Sequence, residues 1–191
     1  EEGRFYNPWQ ERRSRSFLDF LKWQLSKNPF AGEKKHEAGF DAVRPDLKAL
    51  AAAQGDWFAW LGHSTVLMRV GGSVIITDPV FWDVNFLIKR KTPFPIEPEN
   101  LPKIDFVLIS HSHYDHLNTA SVRFLKERFD PVFITGPGYS GYFRKLGVSK
   151  HIELNWAEVY RADGLKITSL PVQHWAKRTV SDTDKLLWCS F

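Results

Sequence analysis

Short apolar runs separated by turn residues dominate the chain from position 57 onwards. The runs WFAWLG, TVLMRV and SVIITD occupy positions 57–62, 65–70 and 73–78, and they are rich in β-branched and aromatic residues. Gly71 and Gly72 separate the last two runs, and two glycines between such runs are typical of a two-residue hairpin loop. The pattern therefore predicts three strands that begin a sheet in antiparallel order.

Strands and helices alternate in the rest of the chain. The continuous apolar run IDFVLIS at 104–110 predicts a strand buried on both faces, and Asn118 can cap a helix that continues to about Phe129. The later runs predict a strand, a helix and then three strands, at 131–135, 138–147, 150–155, 165–172 and 186–191. Segment 91–103 holds four prolines and predicts an irregular loop. Together these elements predict an α/β protein with a mixed sheet.

The first quarter of the chain has a different pattern. Residues 12–25 combine four basic side chains with apolar residues at helical spacing, namely Phe17, Phe20, Leu21 and Leu25. This stretch predicts an amphipathic helix that either docks on the protein's own core or lies on a membrane surface. A linker with one short helix at 45–53 follows. We therefore expect an N-terminal helix and linker at 1–55 and one larger domain at 56–191.

Composition narrows the class of protein. Hydrophobic residues make up 43% of the 191 residues and charged residues 25%, which is typical of a globular domain. No apolar run approaches the roughly 18 residues that span a bilayer. The single cysteine, Cys189, excludes an internal disulfide and a cysteine-built zinc cluster.

The net charge of the chain and its first residue, Glu1, indicate possible binding partners and cellular locations. The net charge of +4 is compatible with an anionic partner, but the longest basic run is the triplet at 89–91, so nucleic acid is not an expected partner. Because the sequence begins at Glu1 rather than at a methionine, a preceding targeting segment is compatible with it. The favoured locations are the cytoplasm and the membrane periphery.

Four potential metal ligands lie within six positions directly after the buried strand at 104–110. The string HSHYDH contributes His111, His113, Asp115 and His116. Because side chains alternate in extended backbone, the first two imidazoles can reach one ion while the Asp-His pair reaches a second. Imidazole and carboxylate together bind zinc, manganese or iron. A histidine-rich turn that binds nothing is the alternative, but loops at the ends of strands in open α/β sheets commonly build sites.

Several strings extend the pattern beyond these six residues. HSHYDH is the HxHxDH signature of the metallo-β-lactamase fold, and RFYNPW, WLGHST, TDP, LPKIDFVLISHSHYDHL, PVQHWAKRT and LLWCSF accompany it over nearly the whole chain. With them the sequence resembles the N-acyl-phosphatidylethanolamine-hydrolysing phospholipase D family and its bacterial relatives. The resemblance implies an α/β fold, a four-layer αββα sandwich with mixed sheets, of which this chain is expected to hold the N-terminal part.

The resemblance also implies an activity, a cofactor and a set of ligands. It implies a metal-dependent phosphodiesterase that hydrolyses N-acyl-phosphatidylethanolamine to N-acylethanolamine and phosphatidic acid with two divalent ions, and zinc is the expected metal. His111, His113 and His174 match the ligands of the first ion, and Asp115 and His116 match those of the second. Asp115 is further expected to orient the attacking water.

Two more residues are expected behind these ligands. His63 in WLGHST and Asp78 in TDP end predicted strands near the site. Metal-bound imidazoles usually donate their other N–H group to a carboxylate or a carbonyl, so Asp78 can orient a ligand histidine. Asp78 can equally accept hydrogen bonds from the backbone of its own Asp-Pro turn, and His63 fits either role.

Other functions remain open at this point. A related enzyme of the same fold could open a phosphorylated sugar lactone with the same histidines, and a non-catalytic lipid-binding protein is the third reading. A lipid substrate needs an apolar groove, for which Phe81, Trp82 and Phe94 are candidates, although ordinary packing explains them equally well.

The site is expected to need further ligands. The resemblance implies a carboxylate between the two ions and one more histidine, both downstream of LLWCSF, and the counterparts of Asp182 and Asp184 are not ligands. An apolar strand at 186–191 would also need a cover, because an uncovered edge strand promotes aggregation. We therefore expect a C-terminal half or a second chain to complete the site.

Overall fold

A computed structural model describes residues 3–9, 17–32, 43–86, 88–162, 164–179 and 181–191. Within these ranges the helices are α1 (Phe17–Leu25), α2 (Leu47–Ala52), α3 (Thr119–Phe129) and α4 (Ser140–Lys145), and a 3₁₀ turn lies at Pro98–Asn100. The strands are β1 (Trp57–Gly62), β2 (Thr65–Val70), β3 (Ser73–Thr77), β4 (Phe106–Leu108), β5 (Val132–Thr135), β6 (His151–Glu153), β7 (Val159–Ala162) and β8 (Leu165–Thr168).

The main sheet has six strands in the order β1-β2-β3-β4-β5-β6. The first three strands pair antiparallel, and β3 to β6 pair parallel. Val70 pairs with Ser73 across the two glycines, which have φ angles of +56° and +88°, so the hairpin forms where the sequence predicts it. The prediction of a mixed sheet in an α/β protein is confirmed.

The two faces of this sheet are covered differently. Val107 and Phe133 face α3 and α4 and form one buried cluster with Val122, Leu125 and Phe143. Asn118 caps α3 as predicted, since its side chain accepts a hydrogen bond from Ser121 N. The opposite face packs against the β7–β8 hairpin in a second cluster. Helix, sheet and sheet therefore stack in the order of the first three layers of an αββα sandwich.

The C-terminal segment differs from the prediction. Residues 186–191 form no strand, and their only bridge joins Ser190 to Leu170. Leu187 N and Cys189 N instead donate to Pro137 O and Ser110 O, at the ends of β5 and β4. Leu187, Trp188 and Cys189 are already buried there, so the expectation of an apolar edge strand that needs a cover is wrong.

Close backbone approach explains this packing. A Cβ atom on Gly136 would lie 2.7 Å from Leu187 O, and one on Gly138 would lie 2.7 Å from Lys185 O. Only glycine allows the C-terminal segment to lie this close to the loop after β5. Strand β7, by contrast, went unpredicted, because its four residues alternate between half-buried and exposed positions without an apolar run.

Two other expectations concern apolar side chains. Phe81 is buried and packs against Phe94 and Phe124, so it belongs to the core, whereas the neighbouring Trp82 is exposed. Helix α1 exposes Leu18, Trp23 and Leu25, with 66%, 67% and 84% of their surfaces accessible, so these side chains do not dock on the core. The arginines at 12, 13 and 15 lie outside the described residues. No helix in the described ranges is long and apolar enough to cross a membrane.

Candidate metal centre

The predicted ligands meet at one edge of the main sheet, where the parallel strands β3 and β4 end. The loop after β4 turns sharply, because His116 N and Leu117 N both donate to His113 O. The turn brings the loop directly to Asn118, the N-cap of α3. Loops at the carboxyl ends of parallel strands are the usual location of sites in α/β proteins.

The first ligand group consists of three histidines. His111 Nε2 lies 2.8 Å from His113 Nδ1 and 3.0 Å from His174 Nε2. Three ring nitrogens this close repel one another through their lone pairs unless a cation or a shared proton lies between them. All three belong to a set of atoms within 4.8 Å of one another, which is the arrangement that a bound ion requires.

The protonation state of these rings suits a metal. Burial, together with the neighbouring histidines, lowers the pKa of His111 to about 2. Burial also lowers the pKa of His113 and of His174. The imidazoles are therefore neutral near pH 7 and offer lone pairs to a cation. His113 Nε2 is buried without a hydrogen-bond partner among the described residues, and its ring packs edge-on against Trp175 at 4.5 Å, so packing holds this ligand.

The second group consists of His63, Asp115 and His116. His63 Nε2 lies 3.0 Å from Asp115 Oδ2 and 3.2 Å from His116 Nε2, and the last two atoms are 3.8 Å apart. His63 comes from the turn between β1 and β2 and has a φ angle of +48°, a left-handed conformation that is uncommon outside glycine. Two imidazoles and one carboxylate can hold a second divalent ion. His63 therefore stands among the potential ligands rather than behind one.

Asp78 holds His116 from behind. Its Oδ2 atom lies 2.8 Å from His116 Nδ1 and accepts a hydrogen bond from Ser110 Oγ at 2.6 Å, while its Oδ1 atom accepts one from Ser110 N at 2.7 Å. The carboxylate thus bonds to the loop after β4 and not to its own Asp-Pro turn. An Nδ1–H···carboxylate hydrogen bond leaves the lone pair of His116 on Nε2, the atom that faces the second group.

Arg178 is a site residue that the sequence reasoning missed. Its guanidinium donates to Ser112 O at 3.1 Å, to Leu117 O at 2.7 Å and to Thr119 Oγ1 at 3.0 Å. It also lies 4.3 Å from the ring centroid of Tyr114. These contacts hold the ligand loop from Ser112 to Thr119, the first residue of α3. The only sequence signal was its place in the string KRT after QHW, which says nothing of what the side chain touches.

Comparisons with known proteins show which family the chain is similar to. Residues 74–191 match the family model described as the Beta-lactamase superfamily domain. The chain is 36% identical over 142 residues to the mitochondrial N-acyl-phosphatidylethanolamine-hydrolyzing phospholipase D of Saccharomyces cerevisiae, covering 69% of this chain and 30% of that protein. It is 34% identical to N-acyl-phosphatidylethanolamine-hydrolyzing phospholipase D 1 of Caenorhabditis elegans, covering 70% and 42%. The chain thus spans less than half of either relative.

A solved structure is similar as well. The chain resembles a metallo hydrolase from the hyperthermophilic archaeon Ignicoccus hospitalis with a TM-score of 0.52 and 26% identity, over 69% of this chain and 52% of the other. This similarity agrees with the α/β fold of the described residues.

Proposed function

The chain belongs to the β-lactamase superfamily and has the metallo-β-lactamase fold, and from this premise we propose that it is a phosphodiesterase acting on N-acyl-phosphatidylethanolamine. The observation that carries the proposal is the pair of adjoining ligand groups, His111–His113–His174 and His63–Asp115–His116. The ring centroids of His111 and His116 lie 4.0 Å apart, so the two groups are direct neighbours. Two relatives of more than 30% identity carry the name of this activity.

The residues present fit two divalent ions, and zinc is the metal that we propose. When bound, such ions polarise a phosphoryl oxygen and lower the pKa of a water molecule toward 7. The three histidines of the first group are neutral donors, and Asp78 keeps His116 in the tautomer that faces the second group. Asp115 is 45% exposed at its side chain, so it can accept a hydrogen bond from water and orient it.

The proposed reaction is a balanced hydrolysis. A water oxygen forms a bond to phosphorus, and the bond from phosphorus to the ethanolamine oxygen breaks. One proton of the water ends on the leaving oxygen, so that the products are N-acylethanolamine and phosphatidic acid. Asp115 is the residue that we propose to hold that proton before it is transferred.

We further propose that the two ions are held with different strength by this chain. The first group is buried or half-buried, whereas the side chains of His63 and Asp115 are 54% and 45% exposed. Asp115 is the one carboxylate in the two groups among the described residues. Asp182 and Asp184 already accept hydrogen bonds from Arg178 N and Ala176 N. A bridging carboxylate and a further histidine would then come from another chain segment, and titration with Zn²⁺ should show one tight and one weaker ion.

The expected membrane contact stays a proposal and has support in α1. Leu18, Trp23 and Leu25 are exposed, Lys22 lies on the same helix, and Lys27 follows two residues after its end. Apolar and basic side chains on one short helix suit an anionic lipid surface. Exchanging the three apolar residues for serine should weaken sedimentation with phosphatidylserine-containing vesicles at low salt, whereas Phe58→Ser, which alters an exposed apolar residue on β1, should not. Equal sedimentation of all variants would contradict the proposal.

The activity is tested with mixed vesicles that contain N-acyl-phosphatidylethanolamine. Zinc-loaded protein in excess over substrate should release N-acylethanolamine, and the metal-free protein and the His111→Ala variant should not. Single-turnover conditions detect even slow product formation. Opening of a phosphorylated sugar lactone without any N-acylethanolamine would favour the alternative enzyme. Vesicle binding with neither reaction, in protein shown to contain metal, would favour a lipid-binding protein.

A further inference from the structure

Residues 4–9, here called the N-terminal strap, lie against the loop that carries His174. Phe5 N donates to Asp184 O at 2.7 Å, and the Arg4 guanidinium donates to Thr183 O at 2.6 Å. The ring of Trp9 stacks on that of Trp156 with 6.0 Å between centroids. These contacts join residues that are nearly the whole chain apart, so the strap packs onto the domain that holds the metal ligands.

Asn7 is the strap residue that reaches a predicted metal ligand. Its Nδ2 atom donates to His174 O at 2.8 Å, and its Oδ1 atom accepts from His174 N at 3.2 Å. One side-chain amide thus bonds both backbone polar groups of His174, as a neighbouring strand would do. The loop around His174 belongs to no helix or strand, so it lacks the regular hydrogen bonds that fix other backbone segments.

We propose that Asn7 is a positioning residue of the metal centre, which fixes the backbone of His174 and with it the distance from His174 Nε2 to His111. The inference rests on the metal-binding role of His174 in the proposed function. Metal affinity depends on ligand placement to within about half an ångström, and partners that orient a ligand typically contribute 10- to 100-fold in affinity. Nothing in the sequence pattern connects Asn7 with His174, because 167 positions separate them.

The local contacts allow a clean substitution. Trp188 Nε1 also donates to Asn7 Oδ1 at 3.1 Å, but it donates to Val172 O at 3.0 Å as well, so it keeps a partner when Asn7 is changed. Asn7→Ala therefore removes mainly the two hydrogen bonds to His174. Asn7→Asp keeps an acceptor for His174 N but places a second carboxylate oxygen against His174 O, where two acceptors repel each other. Tyr6→Ala is the matched control, since Tyr6 is the preceding strap residue and its side chain is 65% exposed.

The experiment measures the affinity of the full chain for Zn²⁺ by competition with a chromophoric chelator and the visible spectrum of the Co²⁺-loaded protein. Asn7→Ala should bind the tighter ion about 10- to 100-fold more weakly and change the cobalt d–d bands. Asn7→Asp should weaken binding at least as much, because its second carboxylate oxygen faces His174 O, and Tyr6→Ala should match the wild type. Denaturant midpoints of the metal-free proteins show how much of each chain is folded. Affinity and spectrum like those of Tyr6→Ala would overturn the proposal, as would a loss fully explained by the unfolded fraction.

Linkage supplies a second readout that needs no activity. If docking of the strap strengthens metal binding, bound metal must strengthen docking by the same factor. Zn²⁺ should therefore slow hydrogen exchange at the Phe5 amide in the wild type and no longer do so in Asn7→Ala. His174→Ala separates the two hypotheses. If that variant keeps its metal, the proposed ligand role of His174 is wrong; if it loses the metal and Asn7→Ala does not, the inference about Asn7 alone is wrong.

Discussion

The Asp78 carboxylate lies 2.8 Å from Nδ1 of His116, and the two residues follow neighbouring parallel strands. Asp78 itself has a left-handed φ angle of +37°. A non-glycine residue in this conformation costs free energy, and such residues concentrate at functional sites. The surrounding hydrogen bonds from Ser110 and Thr65 hold Asp78 in place. The pair therefore determines which nitrogen of His116 faces the second ligand group.

Changing Asp78 should affect metal binding through this tautomer. In Asp78→Asn, an amide N–H group can face His116 Nδ1, which would move the ring proton to Nε2 and remove the lone pair from the ligand side. We expect about 10- to 100-fold weaker binding of the second ion, measured by Zn²⁺ titration. Asp105→Asn is the control, since Asp105 accepts from Val74 N away from the site. Equal titration curves for both variants would contradict this role.

Removal of a histidine of the first group should abolish binding of one metal ion. His111→Ala and His174→Ala each take one of three converging nitrogens from the same group, so the metal content should fall by one tightly held ion per chain. Elemental analysis of the purified, dialysed protein measures it. His151→Ala, which removes a histidine bonded to Thr135 Oγ1 outside both groups, should keep the wild-type content. A His174→Ala variant with full metal content would show that His174 is not a ligand.

His63 should lower the stability of the metal-free protein and strengthen binding of the second ion. Its φ angle of +48° is unfavourable for a side-chain-bearing residue and favourable for glycine. His63→Gly should therefore raise the free energy of unfolding of the metal-free protein, by about 1 kcal/mol, and weaken the second ion. Urea unfolding and Zn²⁺ titration measure the two effects. Asp130→Gly, a left-handed residue at the C-cap of α3, should stabilise without changing metal binding. Loss of stability in His63→Gly without loss of metal would contradict the proposed role.

Folding and metal binding should depend on the guanidinium group of Arg178 and not only on its positive charge. Nη1 of Arg178 donates to Ser112 O and Leu117 O, and Nη2 donates to Thr119 Oγ1. Neither alanine nor the single ammonium of lysine supplies both nitrogens, so Arg178→Ala and Arg178→Lys should each lower the free energy of unfolding by about 1–3 kcal/mol and weaken the binding of both ions. Lys177→Ala changes an exposed neighbour and serves as the control. Denaturant unfolding and Zn²⁺ titration are the measurements. Full recovery by lysine would show that charge alone matters at this position.

Cys189 should be chemically inert in the folded protein. Burial raises the pKa of its thiol to about 12, whereas an unfolded thiol has a pKa of about 8.5. A disulfide reagent at pH 8 should react with it only after unfolding. The folded state binds the thiol proton more tightly than the unfolded state does. The free energy of unfolding therefore keeps its full value below about pH 8.5 and decreases as the pH rises toward the folded pKa, by up to about 1.4 kcal/mol per pH unit. Cys189→Ala should lack this slope, and identical slopes would refute the assignment.

Local patterns were sufficient for most of the elements and for four of the six potential ligands. Glycine pairs, alternating apolar runs and the Asn118 cap act within a few residues, so they predicted β1 to β3 and α3 correctly. The HSHYDH string identified two ligands of each group for the same reason, since its spacing is fixed by the local backbone. The prediction of a strand at 186–191 was wrong, because a buried strand and a buried irregular segment can have the same composition. The close approach to Gly136 and Gly138 decided between them.

Contacts between distant positions needed the tertiary structure. His174 lies 63 positions from His111, Asp78 lies 38 from His116, and Asn7 lies 167 from His174. No periodicity relates such pairs, since their distances depend on how the sheet orders its strands and on where the irregular segments cross its edge. The sequence by itself therefore determined the donor types and the short elements that carry them. Only packing of those elements decided which donors meet, which tautomer His116 presents, and which side chains hold the ligands in position.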